Sequence, residues 1–188
     1  MMKANTVIDR SRAPAWLAAV LLNLLAGSAN AASLDIEFSL PAIPSAAYHS
    51  PYVAVWIENI ENQSVAGTLA VWYDRRLRDE LGKIFLQNLR SWWRKAGKTL
   101  TLPADGVSGA TRGPGTHALH FAGNQGALAQ LPGGKYMLAI EVAREQGGRT
   151  VLRTPFSWGG GDGMDGSRSV PDGSAGAEVS FLKATVSP

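Results

Sequence analysis

The chain has 188 residues, with 18 Lys and Arg, 15 Asp and Glu, three His and no Cys, for a formal net charge of +3. The missing cysteine excludes disulfides, thiolate nucleophiles, Cys-ligated iron–sulfur clusters and covalent c-type haem. Redox work, if there is any, falls to a bound organic cofactor or to a metal held by nitrogen and oxygen.

Residues 1–31 read as a cleaved export signal. Lys3, Arg10 and Arg12 give a basic start, Ala15 to Ala26 is apolar apart from Asn23, and Ala29-Asn30-Ala31 supplies a small-x-small cleavage site. The apolar run is short for a bilayer span and has no stop-transfer flank. Cleavage after Ala31 would leave a soluble periplasmic chain, 32–188, read as a single domain. Loss of the three basic residues together with Asp9 takes the charge from +3 to +1. A domain near neutrality lacks the dense basic stripe that nucleic-acid binding needs.

Beyond the signal the hydrophobic pattern is mostly of period two. Leu34 to Leu40 alternates as a half-buried strand should, and Tyr52 to Glu58 and Thr68 to Tyr73 read as neighbours across a polar turn at Glu61-Asn62-Gln63. Leu81 to Ala96 breaks the pattern: Leu86, Leu89 and Trp92 or Trp93 recur at helical spacing, and Gly97 stands where a helix would stop. Residues 103–115 carry no strand signal and read as a long loop. Thr116 to Phe121, Lys135 to Arg144, Thr150 to Trp158 and Glu178 to Val186 complete about seven strands. Pro132-Gly133-Gly134 and Gly147-Gly148 mark turns, and the Gly-, Ser- and Asp-rich stretch 159–176 reads as a mobile linker. The sum is an all-β, antiparallel β-sandwich of immunoglobulin or fibronectin type with one short inserted helix. Leu131 to Val142 resembles the Pro-Gly-x-Tyr-x-Leu strand start of fibronectin-like domains.

The loop holds the most informative residues. Asp105-Gly106-Val107-Ser108-Gly109-Ala110-Thr111 resembles the acceptor motif Asp-x-x-Ser/Thr-Gly-Ala-Thr, on which bacterial FAD:protein FMN transferases place FMN as a phosphoester of the last threonine. The resemblance implies Thr111 as nucleophile and covalent FMN as cofactor. Gly109 would let backbone approach closely, Ala110 adds little bulk, and Ser108 and Asp105 suit local turn hydrogen bonds. Arg112 suits the phosphate or plain solvent. An ordinary turn at Gly109-Ala110, flanked by Ser108 and Thr111, is the competing reading.

Other candidates are weaker. Trp92 and Trp93 suit either flavin stacking or the core, and Trp56 and Trp72 sit in strand patterns. His117 and His120 fall on opposite faces of a strand and make a poor metal pair, while His49 leaves a copper or haem site open. No Gly-x-Ser-x-Gly or His-Glu-x-x-His pattern is present, so a redox carrier is favoured over a substrate-specific enzyme.

Across 35–186 the chain resembles the predicted periplasmic family domain-of-unknown-function 2271. The resemblance rests on Pro51 to Glu58, Leu69 to Tyr73, Leu89 to Arg94, Gly109 to Gly115 and Glu141 to Glu145. It implies a flavinylated extracytoplasmic protein served by a flavin transferase and a PepSY-type membrane reductase, in settings of iron acquisition. The expected function is therefore periplasmic electron transfer. The alternative is a cofactor-free accessory module that docks on a membrane partner through its sheet edges or aromatic residues.

Overall fold

Strand β1, Ser33–Leu40, keeps the alternation read from its sequence: Leu34, Ile36, Phe38 and Leu40 are buried, while Asp35 and Glu37 point outward. It belongs to a computed structural model that describes residues 32–44, 48–159, 166–169 and 177–188. The predicted export segment 1–31 and most of the Gly-rich stretch, 160–165 and 170–176, lie outside the described residues. The other strands are β2 (Tyr52–Asn59), β3 (Val65–Tyr73), β4 (Ser108–Ala110), β5 (Gly115–Ala122), β6 (Gly134–Ala143), β7 (Arg149–Trp158), β8 (Gly166–Ser169) and β9 (Phe181–Ser187).

Two sheets form a β-sandwich, one in the order β5-β1-β9-β8 and the other β4-β3-β2-β6-β7. The inner faces enclose the main core, with Leu34, Ile36 and Phe38 of β1 against Val53, Val55 and Ile57 of β2. At the foot of β6 the Tyr136 hydroxyl donates to the Pro132 carbonyl at 2.9 Å. This tyrosine corner ties the strand to the turn before it, as in immunoglobulin-type sandwiches.

A second core lies on the outer face of the five-stranded sheet. Tyr52, Ala54 and Trp56 of β2 pack there with Val71, Tyr73, Leu86, Leu89 and Trp92. Tyr52 to Glu58 is buried throughout because each face of β2 has a cover, the opposite sheet on one side and the helical insertion on the other. The helix expected over 81–96 is therefore a third layer. It is also broken into short pieces: α-helical turns at Leu81–Ile84 and Arg90–Trp92, a 3₁₀ turn at Phe85–Asn88 and a π-helical turn at Trp93–Gly97. Trp92 is buried and Trp93 half-buried.

Two buried carboxylates fasten this layer to the sheet. Glu141 of β6 accepts from the backbone N–H groups of Ser91 (3.1 Å) and Trp92 (2.8 Å), which open the Arg90–Trp92 turn, and from Arg149 Nε. The helical turn has no side-chain cap of its own, so a sheet residue satisfies the donors left at its start. Glu58 of β2 accepts from Trp56 Nε1 (2.8 Å), Lys95 Nζ (2.7 Å) and Arg153 Nε (3.1 Å).

Three sequence expectations change. Residues 103–115 are not loop throughout, because β4 lies within them and pairs with β3 in parallel: Val71 with Ser108, Trp72 with Gly109 and Tyr73 with Ala110. The sandwich is antiparallel everywhere else among the described strands. Two parallel neighbours need a long crossover, and the helical insertion supplies it, carrying the chain from the end of β3 back to lie beside it. Residues 166–169, expected in a linker, form β8 against β9. A Cβ on Gly166 would come within 1.9 Å of the Pro155 carbonyl oxygen, so only glycine allows that approach.

Candidate functional site

Thr111 directly follows β4, the short parallel strand at one edge of the five-stranded sheet. The turn into β4 is built by Ala104 and Ser108. Ala104 N–H donates to Ser108 Oγ (2.9 Å), and the Ala104 carbonyl accepts from the N–H groups of Val107 (3.2 Å) and Ser108 (2.9 Å). Gly106 sits at φ +70°, a left-handed conformation that favours glycine. Val71 N–H then donates to Val107 O at 2.8 Å, which starts the pairing with β3.

Trp72 is the wall against which the run is laid. Its indole lies so close to Gly109 that a Cβ there would stand 2.7 Å from Trp72 Cδ1. Trp72 packs edge-on to His117, with ring centres 5.4 Å apart, and against Phe38 at 5.3 Å. The Arg112 guanidinium lies 4.3 Å from the centre of the same indole, a cation–π contact. Just after it, the Gly113 carbonyl meets His117 Nε2 at 3.0 Å. Thr111 is therefore held from both sides, by the ladder before it and by the Arg112 and Gly113 contacts after it.

The run divides between two clefts. Thr111 and Ala110 line one of about 580 Å³, together with Tyr48, His49, Tyr52, Arg75, Arg76 and Phe85. That volume is in the range of small-molecule sites. Asp105, Gly106 and Val107 line a separate cleft of about 320 Å³, beside His120 and Phe121. Asp105, expected with Thr111, thus faces elsewhere, and Arg112 lines neither cleft. Arg75 and Arg76 were not singled out from the sequence. Their signal is their place one and two residues beyond Asp74, at the end of β3, and it becomes legible only once β4 is known to run parallel beside β3.

In the larger cleft, burial followed by the charges of Glu145 and Asp74 pushes the Tyr52 hydroxyl up to about 12. It keeps its proton at neutral pH and can donate a hydrogen bond. His49 Nδ1 lies 3.7 Å from Glu145. The other two histidines serve elsewhere: His120 meets Asp35 at 2.8 Å on the outside, and His117 belongs to the Trp72 cluster. No group of three metal-ligating side chains occurs among the described residues. Nor is any helix among them long and apolar enough to cross a membrane.

No curated protein and no solved structure matches the chain. A family model described as "Predicted periplasmic protein (DUF2271)" matches residues 33–170. With most of its length in that match, from the start of β1 through β8, the chain belongs to the predicted periplasmic family DUF2271.

Proposed function

We propose that this periplasmic protein carries FMN as a phosphoester on Thr111 and relays electrons between a membrane reductase of the PepSY type and a second acceptor, in a setting of iron acquisition. The observation that carries the reading is the run Asp105 to Thr111, whose last residue lies at the end of a braced edge strand and lines a cleft of about 580 Å³. A threonine hydroxyl, two guanidinium groups and three aromatic side chains in that cleft suit a phosphorylated flavin, and they stand beside the carboxylates of Asp74 and Glu145.

An FAD:protein FMN transferase installs the group. Thr111 Oγ forms its bond to the FMN phosphorus of FAD as the bond to AMP breaks, and the hydroxyl proton leaves. Once bound, the flavin supplies one- and two-electron exchange. The chain holds and surrounds it. The β3–β4 ladder fixes the residue before the acceptor, Trp72 blocks movement toward the core, and the protonated Tyr52 hydroxyl offers a donor.

Co-expression with a transferase tests the reading. Wild-type protein is expected to gain the mass of FMN on the peptide containing Thr111 and to show a flavin spectrum. Thr111→Val should fold with the same circular dichroism and remain colourless. A folded Thr111→Val protein that is yellow with covalent flavin would sink the proposal.

A cofactor-free docking module is the second reading. It is favoured by Tyr48, Leu77 and Leu81, large apolar side chains left exposed in the lining of the cleft. An unmodified wild-type chain, beside a control protein that is modified, would bring that reading forward.

A further inference from the structure

Three features of the Thr111 cleft stand apart from the motif. The first is the parallel register of β3 and β4, which pairs Tyr73 with Ala110. The residues that follow the two strand ends, Thr111 on one side and Asp74, Arg75 and Arg76 on the other, line the same cleft. The second is the state of the charges. Asp74 Oδ1 accepts from the Arg76 backbone N–H at 2.8 Å, and Glu145 faces His49. Both carboxylates that line the cleft thus have neighbours other than an arginine side chain, and the exposed Arg75 and Arg76 enter no ion pair among the described residues. The third is aromatic: Tyr48, Tyr52 and Phe85 line the same space, with the Tyr52 and Phe85 rings 6.2 Å apart.

Two unpaired guanidinium groups beside a cluster of aromatic side chains recognise a planar ring that bears a phosphate. Arg112 is the cation nearest Thr111 in sequence, but its guanidinium is laid on Trp72 and lines no part of this cleft.

We infer that the cleft is a preformed non-covalent site for a flavin mononucleotide, with Arg75 and Arg76, rather than Arg112, as the phosphate-binding residues. The inference rests on the reading of Thr111 as the acceptor and assigns the cofactor a fixed seat instead of a free tether. It also gives the chain its own selectivity: FMN is preferred over riboflavin, which has the same ring and no phosphate.

The test uses full-length, exported Thr111→Val protein, which cannot be modified at the acceptor, titrated with free FMN and with riboflavin while flavin fluorescence is followed. FMN is expected to bind at least about ten-fold more tightly than riboflavin, the difference that a charge-assisted phosphate contact supplies. Arg75→Gln/Arg76→Gln, both at exposed positions, should bring FMN to the level of riboflavin, and Arg112→Gln should keep the preference. Equal binding of the two flavins, no binding of either, or a preference lost with Arg112 and kept without Arg75 and Arg76 would overturn the assignment.

Failure here is separable from failure of the acceptor reading. Wild-type protein that is modified at Thr111, while free FMN ignores the cleft of Thr111→Val, removes the seat and keeps the acceptor. A cleft that prefers FMN in a chain no transferase modifies keeps the seat and removes the acceptor.

Discussion

Gly109 shows how a residue of a recognition motif can answer to the fold as well as to a partner. Its Cα lies against the Trp72 indole, and a methyl group there would sit 2.7 Å from Cδ1 and 3.0 Å from Nε1. The indole cannot easily yield. It is buried, packed on Phe38 and His117, and covered by Arg112. Gly109→Ala should therefore push β4 off β3 and cost about 1–3 kcal/mol, the usual range for overpacking. Urea unfolding of the two proteins measures it, and an unchanged midpoint would mean that the edge strand shifts without penalty. The same displacement moves the acceptor two residues on. Reduced modification of Gly109→Ala would thus not by itself show that a transferase touches Gly109. Trp72→Phe/Gly109→Ala, which removes the obstructing ring edge, separates the two effects: recovered modification assigns the loss to packing.

The helical insertion is held by ionised side chains as much as by its apolar face. Glu58 is nearly inaccessible to solvent, yet it meets Lys95 from the insertion, Arg153 from β7 and Trp56 from its own strand. Burial by itself would raise its pKa, but the Arg153, Lys95 and Trp56 donors outweigh burial and hold it below the ordinary 4.5. The sign of the linkage follows. A carboxyl whose folded pKa is depressed contributes its full stability above the unfolded value and loses it as pH falls through the folded one. Glu58→Gln should therefore be less stable than wild type by about 2–3 kcal/mol at neutral pH, the scale of hydrogen bonds to a buried charge. The gap should narrow as the pH falls below 4.5. Urea midpoints taken across that range check it, and a gap of constant size would place the acid-sensitive group elsewhere.

Across the whole molecule, the sequence made most of the sandwich legible and little of the site. Strand β1 could be read because one of its faces is wet, and alternation survives wherever that holds. Strand β2 reads in the sequence as an ordinary alternating strand, and its cover on both faces, by the opposite sheet and by the insertion, appears only in the structure. Ser108-Gly109-Ala110 and Gly166 to Ser169 were missed because short polar edge strands have no pattern to read; their pairing comes from the neighbouring strand. The Thr111 cleft draws Tyr48, Arg75, Phe85 and Thr111 from distant parts of the chain, so a contiguous motif could reveal only Ala110 and Thr111. This division has a mechanical consequence. The core between the sheets and the core under the insertion share strands β2, β3 and β6; the first backs Gly109 through Trp72, and the second supports the path into β4. Val107, Leu100 and Leu102, on the approach to β4, all pack on it. Trp92 is its largest fully buried residue apart from Trp56, and its Nε1–H donates to Thr68 Oγ1 at 3.1 Å. Trp92→Ala should cost about 3–5 kcal/mol, as large-to-small changes of buried aromatics do. That loss should fall unevenly. Hydrogen exchange of the variant should speed first in the insertion and β4, while amides of β1 and β9, which belong to the other sheet, keep their protection relative to global unfolding. Uniform acceleration would instead make the two cores one cooperative unit, and the acceptor strand would then be as firm as the sandwich that carries it.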